Sequence, residues 1–168
     1  GQTTVLDVDR LRGLFEKCNE VEAVNLVSQM LVADAKSGRL CAQTLHSVHK
    51  DYMQVVFSCL AQEHILAHEL FQDATAKKME RGCENSLFDL IKWISFVAKK
   101  AIETIIQVRE SETVVEKIKR YIDANCCTAL TREDIARNIC LSPDYVSKIF
   151  KAKTGESLKD YINERKIE

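Results

Sequence analysis

The chain has 168 residues, 46% of them apolar, and a net charge of -1, the balance of a soluble globular protein with one domain or two small ones. Five glycines and one proline supply too few turn formers for a β protein, so composition favours an all-α fold. No run approaches the ~18 apolar residues of a membrane-spanning helix, and the opening Gly-Gln-Thr-Thr has no basic region followed by an apolar one, so neither a membrane nor a signal peptide is expected.

The start without methionine and the close on Arg165-Lys166-Ile167-Glu168, in mid-helix pattern, suggest a piece of a longer protein. Seven cysteines, an odd number, include the adjacent Cys126 and Cys127 but no Cys-x-x-Cys pair. That usage argues against a disulfide framework or a zinc site and for free thiols in a reducing, cytoplasmic setting.

Apolar spacing predicts a short amphipathic helix over 5–18 and a second over 20–36, with Val21, Val24, Val27, Met30 and Leu31 inward and Ser37-Gly38 as its stop. A long helix follows from Gln43 to Gln62, with Leu45, Val48, Tyr52, Val55, Val56, Cys59 and Leu60 on one side. Residues 65–71 read as a short further turn or helix whose Leu66, Leu70 and Phe71 cap the core. From Gln72 to Asn85 the pattern weakens around Gly82, and a mobile connection with one helical turn is expected. Ser86 and Asp89 then form a capping-box pattern opening a helix over 87–108. Glu110-Ser111-Glu112-Thr113 reads as a polar hinge, which divides the chain into a helical module at 1–110 and a second module at 111–168.

The second module is organised by residues 130–155, in which two capped helices are separated by a very short turn. Thr131 is an N-cap candidate with Glu133 and Asp134 behind it. Ser142 caps the next helix, Pro143 takes its first position, and Gly155 ends it. Ile135, Ala136 and Ile139 share one face, as do Val146, Ile149 and Phe150, and small Ala136 lets the two backbones approach. A helix over 114–125 and one capped by Ser157 complete the unit. This is the grammar of a helix-turn-helix nucleic-acid reader, weighed against an ordinary helical hairpin with solvated lysines.

The segments Val115-Glu116-Lys117-Ile118-Lys119-Arg120-Tyr121-Ile122, Leu130-Thr131-Arg132-Glu133-Asp134-Ile135-Ala136, and Leu141 through Lys151, with Thr154-Gly155 and Tyr161-Ile162, decide between the two. Together they resemble the N-terminal half of the DNA-binding domain of AraC-type transcription regulators, over about a third of the chain. The resemblance implies a homeodomain-like helix-turn-helix module whose second helix, 143–153, enters the major groove of double-stranded DNA. Carried over by position, base reading falls on Asp144, Ser147 and Lys148, with Tyr145 beside them. Lys148 suits guanine O6 or N7, Asp144 a cytosine amino group, and Ser147 several bases. Ser142, Lys151 and Lys153 would hold phosphates. An acid at 144 also stabilises the first turn of its own helix, whatever it reads.

The family's domain contains two such readers joined by a long helix, whereas this chain ends as that helix begins. Residues 111–168 therefore match only its first half. In the first module, residues 51–57, 68–71 and Leu90-Ile91-Lys92-Trp93 look like the helical segment of YesN-like response regulators. That likeness implies a two-component system whose phosphorylated receiver domain lies elsewhere in the parent protein. It also leaves residues 1–110 as a dimerisation or signal-coupling module, and a helical interaction module with a possible homodimer is the rival reading.

Charge bears on this choice. Residues 114–168 hold 11 Lys plus Arg against 9 Asp plus Glu, a weak excess for a protein that must neutralise phosphates unaided. A second reader or a partner subunit would supply the remainder.

His46 with His49, and His64 with His68, have chelating spacing, yet no carboxylate or cysteine completes a recognisable metal signature. No phosphate loop, Gly-x-Ser-x-Gly or supported nucleophilic cysteine is present, so neither an enzyme nor a cofactor is expected. Trp93 and Phe96 read as core.

Overall fold

The computed structural model describes residues 5–167, of which the Ile167 side chain is not described; residues 1–4 and Glu168, which carry the reading of the two ends, lie outside the described residues. The described residues form helices and no strand: α1 (Val8–Glu16), α2 (Glu20–Lys36), α3 (Ala42–Gln62), α4 (Ala67–Leu70), α5 (Ala74–Gly82), α6 (Leu87–Ala124), α7 (Arg132–Asn138), α8 (Pro143–Thr154) and α9 (Leu158–Ile167). The fold is all-α. Two compact units divide between Ile106 and Gln107.

In the first unit the apolar stripes predicted for the long helices meet in one core. Leu11 and Phe15 of α1, Val27 and Leu31 of α2, and Leu45, Val48, Tyr52, Val56 and Leu60 of α3 are all buried. Leu90, Trp93, Ile94, Val97 and Ala101 of α6 join them. Tyr52 puts its hydroxyl into this core because it has a partner, donating to the Ile94 carbonyl at 2.7 Å. Burial, with a smaller push from the negative charge of Glu20, lifts the phenol far above its ordinary pKa, so it remains neutral.

Three expectations for this unit need correcting. Val21 and Leu66 are exposed; α2 instead buries Ala23, and Asp34 is buried beside Arg39 at 3.4 Å. Residues 72–85 are not a mobile connection but hold the nine-residue α5. The Asp73 carboxylate caps α5 by accepting from the Ala76 amide at 2.7 Å, and Lys100 of α6 donates to the other carboxylate oxygen. The buried face of α5 is small, Ala76, followed by Cys83 just past its end, which is why the apolar pattern is faint.

The expected hinge at 110–113 is also absent, since α6 runs through it without a break. Ser111 and Thr113 donate to the carbonyls of Gln107 and Arg109, four residues back, at 2.8 and 2.9 Å. Their hydroxyls are thereby absorbed by the helix instead of competing with it. No residue from 106 to 113 is buried or packed into either core, so this stretch is helix without a core.

The second unit has a core of its own, built from Val115, Ile118 and Ile122 of α6, Ile135 and Ala136 of α7, Val146, Ile149 and Phe150 of α8, and Leu158, Tyr161 and Ile162 of α9. Phe150 is wholly buried and meets Tyr161 edge-on at 5.3 Å, while the Arg165 guanidinium lies 4.8 Å from the Tyr161 ring. A fully buried phenylalanine contributes about 1.5–3 kcal/mol. That contact fixes α9 against α8.

Candidate nucleic-acid interface

The geometry of α7 and α8 is set by caps. Thr131 Oγ1 accepts from the Asp134 amide at 3.1 Å while the Asp134 carboxylate accepts from the Thr131 amide at 3.1 Å, a reciprocal capping box. The Thr131 hydroxyl, which donates to the Asp134 carboxylate at 2.9 Å, and then the Thr131 amide hold the Asp134 carboxyl below its ordinary pKa. Ser142 Oγ accepts from the Tyr145 amide at 3.2 Å, Pro143 occupies the first turn, and Gly155 ends α8 at φ 77. Between the helices Ile139 is the C-cap of α7 and Cys140 takes a left-handed φ of 60, which lets the Leu141 amide reach back to the Ala136 carbonyl at 3.0 Å. Ala136, 2% exposed, is the small residue that the close passage of the helices requires.

Burying Val146, Ile149 and Phe150 turns the opposite side of α8 outward. Asp144, Tyr145 and Lys148 are exposed there, and Ser147 is half-buried. Ser142, Lys151 and Lys153 are exposed as well. The predicted readers thus share an accessible helix surface, with two qualifications. The Ser142 oxygen already serves as the helix cap, and Asp144 is engaged by Arg132 Nη1 at 3.3 Å.

Sequence reasoning missed the ground beside this face. A groove of about 510 Å³ is lined by Leu130 and Arg132, by Ser147 and Lys151 of α8, and by Leu158, Lys159, Ile162, Asn163 and Lys166 of α9. Its walls bring four cations, Arg132, Lys151, Lys159 and Lys166, to one place. Lys159 and Lys166 are seven apart, a helical repeat that could have been read as one face; Arg132 lies beside them only because α7 folds back. The weak net excess of charge hides a local concentration.

The histidines also meet partners that spacing did not reveal. The Nδ1 atoms of His46 and His49 each stand 2.8 Å from Oε1 of Glu84, and Cys83 Sγ is 3.6 Å from His49 Nδ1. A carboxylate and a thiol thus accompany this pair from far along the chain, Glu84 lying 35 residues beyond His49. Glu84 acts as a shared acceptor for two imidazole N–H donors. No group of three or more His, Cys, Asp or Glu able to hold a metal ion occurs among the described residues. No helix is long and apolar enough to cross a membrane, again among the described residues.

Neither a family model nor a solved structure matches the chain. Two curated proteins do, each over a limited stretch. One is the uncharacterized HTH-type transcriptional regulator YijO of Escherichia coli, 34% identical over 58 residues, or 34% of this chain and 20% of that protein. The other is the regulatory protein PocR of Salmonella typhimurium, 36% identical over 56 residues, or 33% of this chain and 18% of that protein. The chain spans about a fifth of the length of these relatives. About a third of this chain is thus similar to parts of a helix-turn-helix transcription regulator and a regulatory protein.

Proposed function

We propose that the chain is the DNA-binding output part of a transcription regulator of AraC type, in which α8 reads the major groove of double-stranded DNA. The observation that carries this reading is the exposed face of α8, with Asp144, Tyr145, Ser147 and Lys148 outward beside a groove rimmed by four cations. Lys148 donates to a guanine edge, and Asp144 and Ser147 discriminate neighbouring bases. Ser142, Lys151 and Lys153 engage phosphates, together with Arg132 and Lys159 of the groove. Residues 111–168 act as the first half of the reader, and residues 1–110 as a helical module that couples it to a signal. The parent protein is read as a cytoplasmic two-component response regulator, with its receiver domain and second reader outside this chain.

Selection from a random duplex pool at low salt, with Lys148→Ala run in parallel, tests this function. A short motif enriched by the native chain and lost by the variant is expected, the variant binding that motif about 1 to 3 kcal/mol more weakly. Equal weakening on every duplex would reduce Lys148 to a phosphate contact.

Self-association through the first unit is a second reading, favoured by Phe57 and Phe88, which are 45% and 69% exposed. Since symmetric readers impose a fixed half-site spacing, a dimer would enrich paired motifs about one helical turn of DNA apart. Sedimentation at rising concentration measures it directly, and a chain that stays monomeric throughout sinks this second reading.

A further inference from the structure

The two adjacent cysteines sit in the turn that links α6 to α7. Their Sγ atoms are 3.8 Å apart, Cys126 half-buried and Cys127 exposed. The turn is held at both ends, because the Asn125 side chain donates to the Tyr121 carbonyl at 2.8 Å and the Thr128 amide donates to the Asn125 carbonyl at 3.1 Å. Both thiols are presented together on an anchored piece of backbone.

A direct bond between these sulfurs is disfavoured by chain geometry. Neighbouring Cα atoms across a trans peptide lie about 3.8 Å apart, below the roughly 4.4–6.8 Å that disulfides use. The sulfurs would also have to close from 3.8 Å to about 2.05 Å. A single soft atom placed between them removes both demands, since two longer bonds bridge the existing gap and the ring gains a member. Thiol sulfur is the ligand that soft centres select. No third His, Cys, Asp or Glu completes a metal set among the described residues, so the fitting centre is one satisfied by two sulfurs and a substituent of its own.

We propose that Cys126 and Cys127 form a dithiol site that chelates a trivalent arsenical carrying one organic substituent. The condensation is balanced without an oxidant. Both S–H bonds and the arsenic–oxygen bond break, two As–S bonds form, the oxygen leaves as water with the two thiol protons, and arsenic remains trivalent. The partner thiol also raises the Cys126 pKa, chiefly through the hydrogen bond between them. A less available thiolate slows exchange with small disulfides, which weighs further against an oxidised pair. The site stands independently of the DNA-reading proposal.

The test is intact-mass analysis of the whole chain with phenylarsine oxide in the presence of excess monothiol. The native chain should retain one arsenical, detected as a gain of one reagent less one water. Because the second As–S bond forms within the molecule, Cys126→Ser and Cys127→Ser should each weaken retention on the order of 100-fold or more. Cys41→Ser and Cys140→Ser, at the other exposed thiols, should change nothing. Helical circular dichroism of each variant separates a lost site from a lost fold. Retention by either turn variant, or loss in the Cys41 or Cys140 variant, overturns the proposal. So does an internal Cys126–Cys127 disulfide that forms under mild oxidation and displaces the arsenical.

Discussion

Arg132 Nη1 stands 3.3 Å from Asp144 Oδ1, joining the first residue of α7 to the first turn of α8. The two side chains are 50% and 80% exposed, so the pair itself contributes only about 0–1 kcal/mol to folding. Its consequence is for recognition: one candidate base reader is held by a candidate phosphate contact. Asp144→Ala should lower stability by only about 1 kcal/mol, from the lost pair and the lost charge in the first turn of α8, while removing one negative charge and releasing Arg132 toward DNA. Affinity for unrelated duplexes is expected to rise, discrimination among sequences to fall, and the salt dependence to steepen. Binding titrations at two salt concentrations would read all three. Weaker binding to unrelated DNA would instead mean that Asp144 holds Arg132 in its phosphate-binding pose.

The turn between α7 and α8 stores strain at Cys140, whose φ of 60 is a conformation that a side chain disfavours by roughly 1–2 kcal/mol. Glycine removes that cost but adds about 0.5–1 kcal/mol of backbone freedom to the unfolded chain. Cys140 is exposed, so no core packing is lost. Cys140→Gly should therefore stabilise the second unit by about 0.5–1 kcal/mol, measured by chemical denaturation. A destabilised variant would show that the thiol makes a contact worth more than the relieved strain.

At Glu84 the expectation concerns pH. Its carboxyl is held below its ordinary value first by the hydrogen bond from His49 and also by that from His46. A depressed folded-state pKa means that the carboxylate's stabilising contribution is fully present above its unfolded value of about 4.3 and is lost as pH falls through the lower folded value. Glu84 is about a third exposed, so solvent screening limits the effect to about 1 kcal/mol or less. Glu84→Gln should be less stable than the native chain at neutral pH, and the gap should close on acidification. A gap that stays constant down to the lowest pH would assign the effect to packing.

Much of this fold can be read from residue order because its elements are long and amphipathic. Tyr52, Val56 and Leu60 on α3, and Leu90, Ile94 and Val97 on α6, repeat so regularly that no partner is needed to see their buried side. The caps Thr131, Ser142 and Ser157 and the stop at Gly155 are equally local, each bond spanning three or four residues. What stayed hidden is what distance in sequence conceals. Glu84 meets His49 across 35 residues, and Arg132, Lys151 and Lys166 share a groove only after three helices pack. Composition misled at α5, whose buried residue is alanine, and at 110–113, where polar side chains suggested a loop that their bonds to the helix backbone disallow.

That unbroken stretch of α6 supports the final expectation. Residues 106–113 bury no side chain and belong to neither core, and Ser111 is the position where proline would remove a backbone bond and collide with the carbonyl of Gln107. The local cost is about 3 kcal/mol or more, enough to open a helix that no core supports. Neither core includes a residue of this stretch. Ser111→Pro should therefore reduce helical circular dichroism and unprotect the nearby amides to hydrogen exchange. The unfolding transition reported by Trp93, the single tryptophan and 1% exposed in the first core, should stay in place. A Trp93 transition weakened by the full cost of the proline would mean that the first core depends on helix beyond Ile106 and that the two units do not unfold separately.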